Sequence, residues 1–409
     1  METEGMVVLM ALPLFLILLA AGGALQGTAY TYDLKITIYD GNQTLSPDQP
    51  SSPYSLLLNE TLFLNDSTQT SILESVSLNG FPVNYSLVND ADGNPSIEIP
   101  ENTPLEPGAN ATLELSFEIY VSNMQINLSG IGNLSDIPSS LVQQYPMTGS
   151  WNLTGVDDAQ AIYSTAQSLK GNDENVLSIV YNILGWFENN MVYNSSLPYP
   201  RTVSETFETH MGDCDDQANL FITYCRILGI PAYLSVGPIY LVGNNLEDYG
   251  NLQFNLTNVG WHAWAMVYLP KIGGGGEWVP VDLTFFGVPP DSEGHIKSQD
   301  PSQHIIDSAL AYYGAVVLSN FKTTDYVGDS VYQWNALQGA NITWSETDSM
   351  MLQTKATSNT SPALLVATLT LAILGLVAIF IMALRPRLRK VPDEQPPPTA
   401  SVTLEAAEL

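Results

Sequence analysis

The N-terminal part of the chain, from residue 30 to about residue 148, alternates apolar and polar residues with the period of half-buried strands. The segments "YTYDLKITIYD" and "ATLELSFEIYVS" carry this pattern, and clusters of Asn, Asp, Gly and Pro separate the shorter runs between them. Several short strands joined by turns predict a β-sandwich over residues 30–148. This part contains no His and no Cys. We therefore interpret it as a spacer or adhesion module.

From Val156 onward the apolar residues recur at helical spacing, first in "VDDAQAIYSTAQSLKG" and then in "DENVLSIVYNILGWFENNMVY". A further helix is predicted to begin near Asp213, a good N-cap residue, and to end at Gly229. Its apolar residues form one stripe at spacings of three and four: Cys214, Ala218, Phe221, Cys225 and Leu228. Helices mixed with strands predict an α+β domain over residues 149–345, following the sandwich.

The segment "GWHAWAMVYLP-KIGGGG-EWVPVDLT" predicts a β-hairpin with a flexible glycine turn. A register centred on Ile272 places His262 directly opposite Asp282, with Cβ atoms about 5 Å apart. The opposite face of this hairpin is then wholly aliphatic: Ala263, Ala265, Val267, Leu269, Val279, Val281 and Leu283. A slip of one residue would destroy this separation. The pattern therefore predicts an imidazole and a carboxylate together on one face.

Two long apolar segments lie near the ends of the chain. Residues 6–25 resemble the core of a signal peptide over residues 1–29, although no basic residue precedes them, so an uncleaved anchor is the alternative. Residues 362–384 carry no charge and are long enough to span a bilayer, which needs about 20 residues. The basic run "RPRLRK" directly after them favours a cytoplasmic, Pro-rich tail over residues 385–409. Residues 346–361 are then a juxtamembrane linker.

The sequence contains twelve Asn-X-Ser/Thr sequons, all between the two apolar segments. They are at Asn42, Asn59, Asn65, Asn84, Asn110, Asn127, Asn133, Asn152, Asn194, Asn255, Asn341 and Asn359. Glycosylation acceptors on one side of a membrane span are typical of an exported body. We therefore expect a single-pass protein of the cell membrane with its main body extracytoplasmic.

Charge and cysteine content narrow the possible functions. The 409 residues include 42 acidic and 12 basic side chains, a formal net charge of −30. A polyanionic body repels phosphate backbones, so we expect no nucleic-acid partner. The two cysteines, Cys214 and Cys225, are predicted to lie about 16 Å apart along one helix, too far for a disulfide. Each thiol therefore needs its own explanation.

Cys214 is the candidate nucleophile, because it lies at the N-terminal end of a helix and points towards the core. The helix end lowers a thiol pKa, whereas neighbouring acidic residues such as Asp213 and Asp215 raise it, so a basic partner is required. His262 is the candidate base, and Asp282 would orient its ring. Acyl transfer also needs an oxyanion hole, for which we predict the Cys214 backbone N–H and, as a second donor, Tyr193.

The three segments "GDCDDQA…CRILGIPAY", "WHAWAMVYLP" and "WVPVDLT" together resemble the transglutaminase-like superfamily. The resemblance covers roughly residues 150–340 and implies a papain-like fold with Cys214, His262 and Asp282 as its triad. It further implies thiol-mediated acyl chemistry on peptide or amide bonds of an extracytoplasmic protein or peptide: hydrolysis, deamidation or transamidation. Tyr233 stands where the family commonly has Arg, and this departure leaves the substrate preference open.

Two alternatives to an enzyme remain at this stage. The fold could serve a non-catalytic surface module that binds protein or glycan, or the chain could be a structural envelope protein. Some members of the superfamily use calcium, but Asp215 and Asp216 lack a ligand set at loop spacing, so we interpret them as capping residues. We therefore expect no metal and no cofactor.

Overall fold

The strands of the computed structural model belong mainly to one sheet that runs through most of the described chain. The structure describes residues 27–122, 126–284, 290–305 and 314–353. In chain order the strands are β1 (Gly27–Asp40), β2 (Gln69–Leu78), β3 (Phe81–Pro82), β4 (Ser86–Asn89), β5 (Pro95–Glu98), β6 (Asn110–Ser122), β7 (Val192–Tyr193), β8 (Met211–Gly212), β9 (Ala232–Asp248), β10 (Leu252–Pro270), β11 (Gly276–Val281), β12 (Ser319–Phe321) and β13 (Ile342–Gln353).

The helices lie mostly between β6 and β9. They are α1 (Pro53–Leu58), α2 (Ser139–Gln144), α3 (Ala159–Lys170), α4 (Val176–Asn190), α5 (Val203–Thr209), α6 (Cys214–Ile227) and α7 (Tyr326–Gly339), with short 3₁₀ turns at Leu134–Asp136 and Gly149–Trp151. The helices expected from the apolar spacing after Val156 are thus present as α3, α4 and α6. Side-chain caps stabilise the N-termini of two of these helices. At α4 the Asn175 side chain accepts a hydrogen bond from the Ser178 amide, and at α6 Asp213 forms a capping box.

The main sheet has nine strands in the order β12-β9-β10-β13-β1-β6-β2-β3, with β11 also paired to β10. Neighbouring strands are antiparallel except for β10 and β13, where Leu252–Thr257 runs parallel to Trp344–Ser349. On one side, α3, α4 and α6 pack with β9, β10 and β11 into one apolar core. A second core lies between β1, β6 and their neighbours, with α1 against it. The result is a mixed α/β architecture.

This sheet differs from the expectation of a separate β-sandwich over residues 30–148. Strand β1 pairs with β6 on one side and with β13 on the other, so strands from both predicted domains share one hydrogen-bonded sheet. Residues 346–353, predicted as linker, belong to β13. The strand is partly exposed, and its segment "ITWSETDSMMLQ" is largely polar. The sequence pattern therefore does not predict a strand here. Residues 27–29, predicted as the end of the leader, are already paired within β1.

Side-chain contacts also join the predicted sandwich to the rest of the chain. Asp92, in the loop between β4 and β5, accepts hydrogen bonds from the Lys322 amide at 2.8 Å and from the hydroxyls of Thr323 at 2.7 Å and Thr324 at 2.6 Å. Burial raises the pKa of the Asp92 carboxyl, but these hydrogen bonds outweigh it and lower the pKa to about 2.

Arg226, in the last turn of α6, holds three segments together. Its guanidinium donates to the carbonyls of Ala232 at 2.8 Å, Pro146 at 2.6 Å and Lys322 at 2.9 Å. The same group stacks 3.8 Å from the ring centroid of Trp151. Helix α6 is therefore buried on nearly all sides, rather than along the single stripe expected from its spacing.

No helix among the described residues has the length and apolarity needed to cross a membrane. The apolar segments 6–25 and 362–384, the end of the linker and the tail over residues 385–409 lie outside the described residues. The predicted leader and membrane span therefore stay predictions.

Candidate active site

Cys214 is the first residue of α6 and reaches the edge of strand β10. Its sulfur accepts a hydrogen bond from the backbone N–H of Ala263, the residue that follows His262. The thiol is partly buried and opens into a cavity of about 800 Å³ that His262 and Tyr193 also line. The structure therefore brings the candidate nucleophile and the candidate base to one cavity.

His262 and Asp282 are in direct contact. The His262 Nε2–H donates to Asp282 Oδ2 at 3.0 Å, and the two residues are 7% and 1% exposed. The backbone N–H of Thr284 donates to the other carboxylate oxygen, Asp282 Oδ1, at 2.9 Å. Both carboxylate oxygens are therefore engaged, which fixes the carboxylate plane against the imidazole ring.

The hairpin that carries this pair has a different register from the one predicted. Ala265 pairs with Val281 and Tyr268 with Trp278, so the hairpin is centred on Gly273 rather than on Ile272. The glycine turn takes up the difference, since Gly273, Gly274 and Gly275 all adopt positive φ. A shift of two residues keeps the side-chain parity, and the aliphatic face is buried as predicted. His262 and Asp282 meet as diagonal neighbours and not as directly opposed residues.

Burial and acidic neighbours raise the pKa of the Cys214 thiol well above its ordinary value. Desolvation is the largest cause, the charges of Asp215 and Asp213 add to it, and the Ala263 amide opposes it. Burial also raises the pKa of Asp213 to about 10, helped by a hydrogen bond to Asp215. The hydroxyl of Tyr326 donates to Asp215 Oδ2 at 2.6 Å. Asp213, with its raised pKa, is therefore a hydrogen-bond donor to Asp215 at neutral pH.

Tyr193, the predicted second oxyanion donor, lies in β7 and borders the same cavity as Cys214. Burial and the nearby Cys214 raise the pKa of its phenol to about 12. The phenol is therefore protonated at neutral pH and is able to donate a hydrogen bond.

Among the described residues, three potential ligand atoms, from Asp213, Cys214 and Asp215, lie within 4.8 Å of one another. The hydrogen bond between the carboxyl groups of Asp213 and Asp215 accounts for the closeness of two of these three atoms. That the site uses no metal and no cofactor stays a prediction.

Sequence reasoning missed two groups of residues around the site. The cavity wall includes Glu346 of β13 and Glu60. Glu60 belongs to residues 30–148, the region interpreted from the sequence as a spacer or adhesion module. Behind Asp282 lie His304, which contacts its backbone, and Glu188, which contacts His304. No sequence pattern relates His304 to Asp282, which lies 22 residues earlier in the chain.

The chain is similar to one protein-family model and to solved structures. Residues 163–283 match the family model described as the transglutaminase-like superfamily. A candidate cysteine protease from Cytophaga hutchinsonii is similar at 15% identity, with 82% of this chain and 93% of that chain covered and a TM-score of 0.44. The periplasmic domain of TgpA from Pseudomonas aeruginosa, bound to ethylmercury, is similar at 13% identity, with 73% and 97% covered and a TM-score of 0.29.

No curated protein matches the sequence of the chain. The family match spans α3 to the hairpin and includes the three segments that carry Cys214, His262 and Asp282. The chain therefore contains a domain of the transglutaminase-like superfamily, over residues 163–283.

Proposed function

We propose that this protein is a cysteine enzyme that carries out acyl transfer on peptide or amide bonds of protein substrates. One observation carries the proposal. The sulfur of Cys214 is hydrogen-bonded to the residue next to His262, and His262 donates to Asp282 at 3.0 Å, within one cavity. A thiol, an imidazole and a buried carboxylate in this order are the parts that nucleophilic acyl transfer requires.

In the proposed reaction, Nδ1 of His262 accepts the proton of the Cys214 thiol. The Nε2–H group of His262 stays hydrogen-bonded to Asp282. The sulfur then attacks the carbonyl carbon of the amide and forms a C–S bond. The Cys214 backbone N–H and the Tyr193 hydroxyl donate to the resulting oxyanion. The imidazolium returns its proton to the leaving nitrogen as the C–N bond breaks. Water or a primary amine next attacks the thioester and releases Cys214 as a thiol.

The raised pKa of Cys214 is the observation that favours the alternative, a non-catalytic binding module. A thiol that burial and carboxylates keep protonated is a poor nucleophile unless proton transfer to His262 is concerted with attack. The reactivity of the thiol therefore separates the two functions.

The cellular location is part of the proposal. We infer a single-pass membrane protein whose body, including the cavity, faces outward. Ten of the eleven described sequon asparagines have exposed side chains, and only Asn194 is half-buried. Surface exposure is what an N-glycosylated body requires. Protease added to intact cells should degrade the body, and its survival without permeabilisation would contradict this orientation.

The decisive experiment incubates the full-length protein in detergent with casein and a biotinylated primary amine, beside Cys214→Ala. Incorporation of biotin that Cys214→Ala abolishes identifies a transamidase, and fragments of casein that it abolishes identify a protease. A Cys225→Ala variant is the matched control, because Cys225 is fully buried in the core away from the cavity. Neither product, together with an alkylation rate like that of an ordinary buried thiol, would favour the binding module.

A further inference from the structure

Asp282 lies one residue beyond the end of β11, so the sheet does not hold its backbone. The hairpin ladder ends at the pair Ala265–Val281. Beyond it, the Asp282 backbone N–H donates to the carbonyl of His304 at 3.1 Å, and the His304 ring Nδ1 donates to the carbonyl of Asp282 at 2.7 Å. A single residue, distant in sequence, thus binds both backbone polar groups of the triad carboxylate.

The ring of His304 is oriented from its other side by Glu188, in the last turn of α4. His304 Nε2 lies 2.8 Å from Glu188 Oε1, which also accepts from the Ser298 amide at 2.9 Å. Burial raises the pKa of Glu188, but the hydrogen bonds from His304 and Ser298 outweigh it and lower the pKa below the ordinary glutamate value. Glu188 is therefore ionised at neutral pH and acts as an acceptor only.

These contacts define how the ring of His304 is hydrogen-bonded. A backbone carbonyl accepts hydrogen bonds and cannot donate, and an ionised carboxylate is likewise an acceptor. Nδ1, which faces the carbonyl of Asp282, must therefore carry hydrogen and donate it to that carbonyl. The ring is only 1% exposed, and its second buried nitrogen, Nε2, needs a hydrogen-bond partner such as Glu188.

We propose that His304 and Glu188 are positioning residues for the candidate triad, acting on His262 through Asp282. The proposal rests on the proposed function. Glu188 fixes the His304 ring, Nδ1–H of His304 fixes the Asp282 backbone, and Asp282 then points its carboxylate at His262. Neither His304 nor Glu188 needs to contact a substrate.

His295 provides a matched control for this arrangement. It belongs to the same described segment, 290–305, and its ring Nδ1 donates to the Met191 carbonyl at 2.8 Å, at the end of the same helix α4. It anchors the segment as His304 does but makes no contact with Asp282. A purely structural role would therefore give variants of His295 and His304 the same consequences.

The two amide replacements of His304 separate its two contacts. The side-chain nitrogen of Asn occupies nearly the position of Nδ1, and that of Gln nearly the position of Nε2. His304→Asn should therefore keep the hydrogen bond to Asp282, whereas His304→Gln should keep the one to Glu188 and lose the other. Conservative rescue by Asn but not by Gln would be specific to positioning.

The test measures the rate at which iodoacetamide alkylates Cys214 at pH 7, read by mass spectrometry of the peptide that contains it, with thermal unfolding recorded for each variant. We expect His304→Gln to slow alkylation about 10- to 100-fold, the range typical of groups that orient an active ligand. His304→Asn should stay within about threefold of wild type and His295→Gln should equal it. If His304→Gln does not fold, Glu188→Gln is measured in its place and should also slow the alkylation of Cys214.

The outcomes distinguish the inference from the function on which it rests. A wild-type thiol that reacts no faster than Cys225 would refute the proposed function and a positioning role with it. A wild-type thiol that reacts fast, with His304→Gln and Glu188→Gln equally fast, would overturn the positioning role and leave the function intact. Equal losses in His304→Gln and His295→Gln would also overturn it, since they would reflect stability alone.

Discussion

Replacing Asp282 by asparagine should inactivate the protein more severely than replacing it by alanine. The reason lies in the hydrogen bond from the Thr284 amide to Asp282 Oδ1. In Asp282→Asn this amide selects the oxygen of the new side chain, so the NH₂ group takes the place of Oδ2 and points at His262 Nε2. An NH₂ group donates, and it therefore forces Nε2 to accept and moves the ring proton to Nδ1.

A ring protonated on Nδ1 cannot take the proton of Cys214. The corresponding change in a Ser–His–Asp triad lowers kcat by about 10⁴, which equals about 5.4 kcal/mol at 1.36 kcal/mol per tenfold. A thiol is intrinsically a better nucleophile than a hydroxyl, so we expect a loss of about 10²- to 10³-fold, or about 2.7–4.1 kcal/mol. Asp282→Ala removes the carboxylate without adding a donor, and its loss should be about tenfold smaller because the ring is then able to choose its tautomer.

The assay is kcat/KM for amine incorporation into casein or for its cleavage, whichever the wild type performs, with circular dichroism to confirm folding. Asp282→Asn and Asp282→Ala are compared at the same pH. An Asn variant as active as the Ala variant, or within threefold of wild type, would refute the tautomer argument. It would show that the carboxylate does not set the position of the ring proton.

Three further predictions concern stability, acidity and the oxyanion. Arg226→Met should lower the free energy of unfolding in urea by about 3–5 kcal/mol, because it leaves carbonyls of three segments without their charged donor. The control, Lys35→Met, removes an exposed ion pair and should lower the free energy of unfolding by less than about 1 kcal/mol. Equal losses in the two variants would contradict the reasoning. The folded-state pKa of Asp92 is about 2, below the unfolded value, so its stabilisation should be present above about pH 4 and vanish as the pH falls towards 2. Asp92→Asn should flatten the dependence of the free energy of unfolding on pH between about pH 4 and 2. An Asn variant with the same pH dependence as wild type would contradict this prediction. Tyr193→Phe should slow acyl transfer about 10²-fold but leave alkylation of Cys214 unchanged, since alkylation forms no oxyanion; a loss in both would instead indicate damage to the nucleophile.

The hairpin illustrates what the sequence is able to predict. The alternation around His262 and Asp282 fixes which face each side chain occupies, because the side-chain period of a strand is two. The exact pairing depends on how many residues the turn uses, and a run of four glycines leaves that number open. Parity was therefore predictable, and register was not.

The remaining differences come from contacts between distant parts of the chain. Strand β13 joins the sheet through partners about 90 residues before it in β10 and about 310 before it in β1, and no local pattern encodes either. The contact between Glu188 and His304 spans 116 residues and involves polar side chains, which carry no periodic signal. Apolar spacing located α3, α4 and α6 because the information for a helix is local.

The pairing of β1 with β13 also determines how the body would respond to force. Ala29 is paired with Gln353, so the first and last described strands begin and end side by side, a few ångströms apart. Tension applied between these two points would act across the ladder and not along it, and it would open the hydrogen-bonded pairs one after another from that end. Since β13 also carries the parallel contact with β10, such peeling would split the sheet at its centre, with helices α3, α4 and α6 still folded.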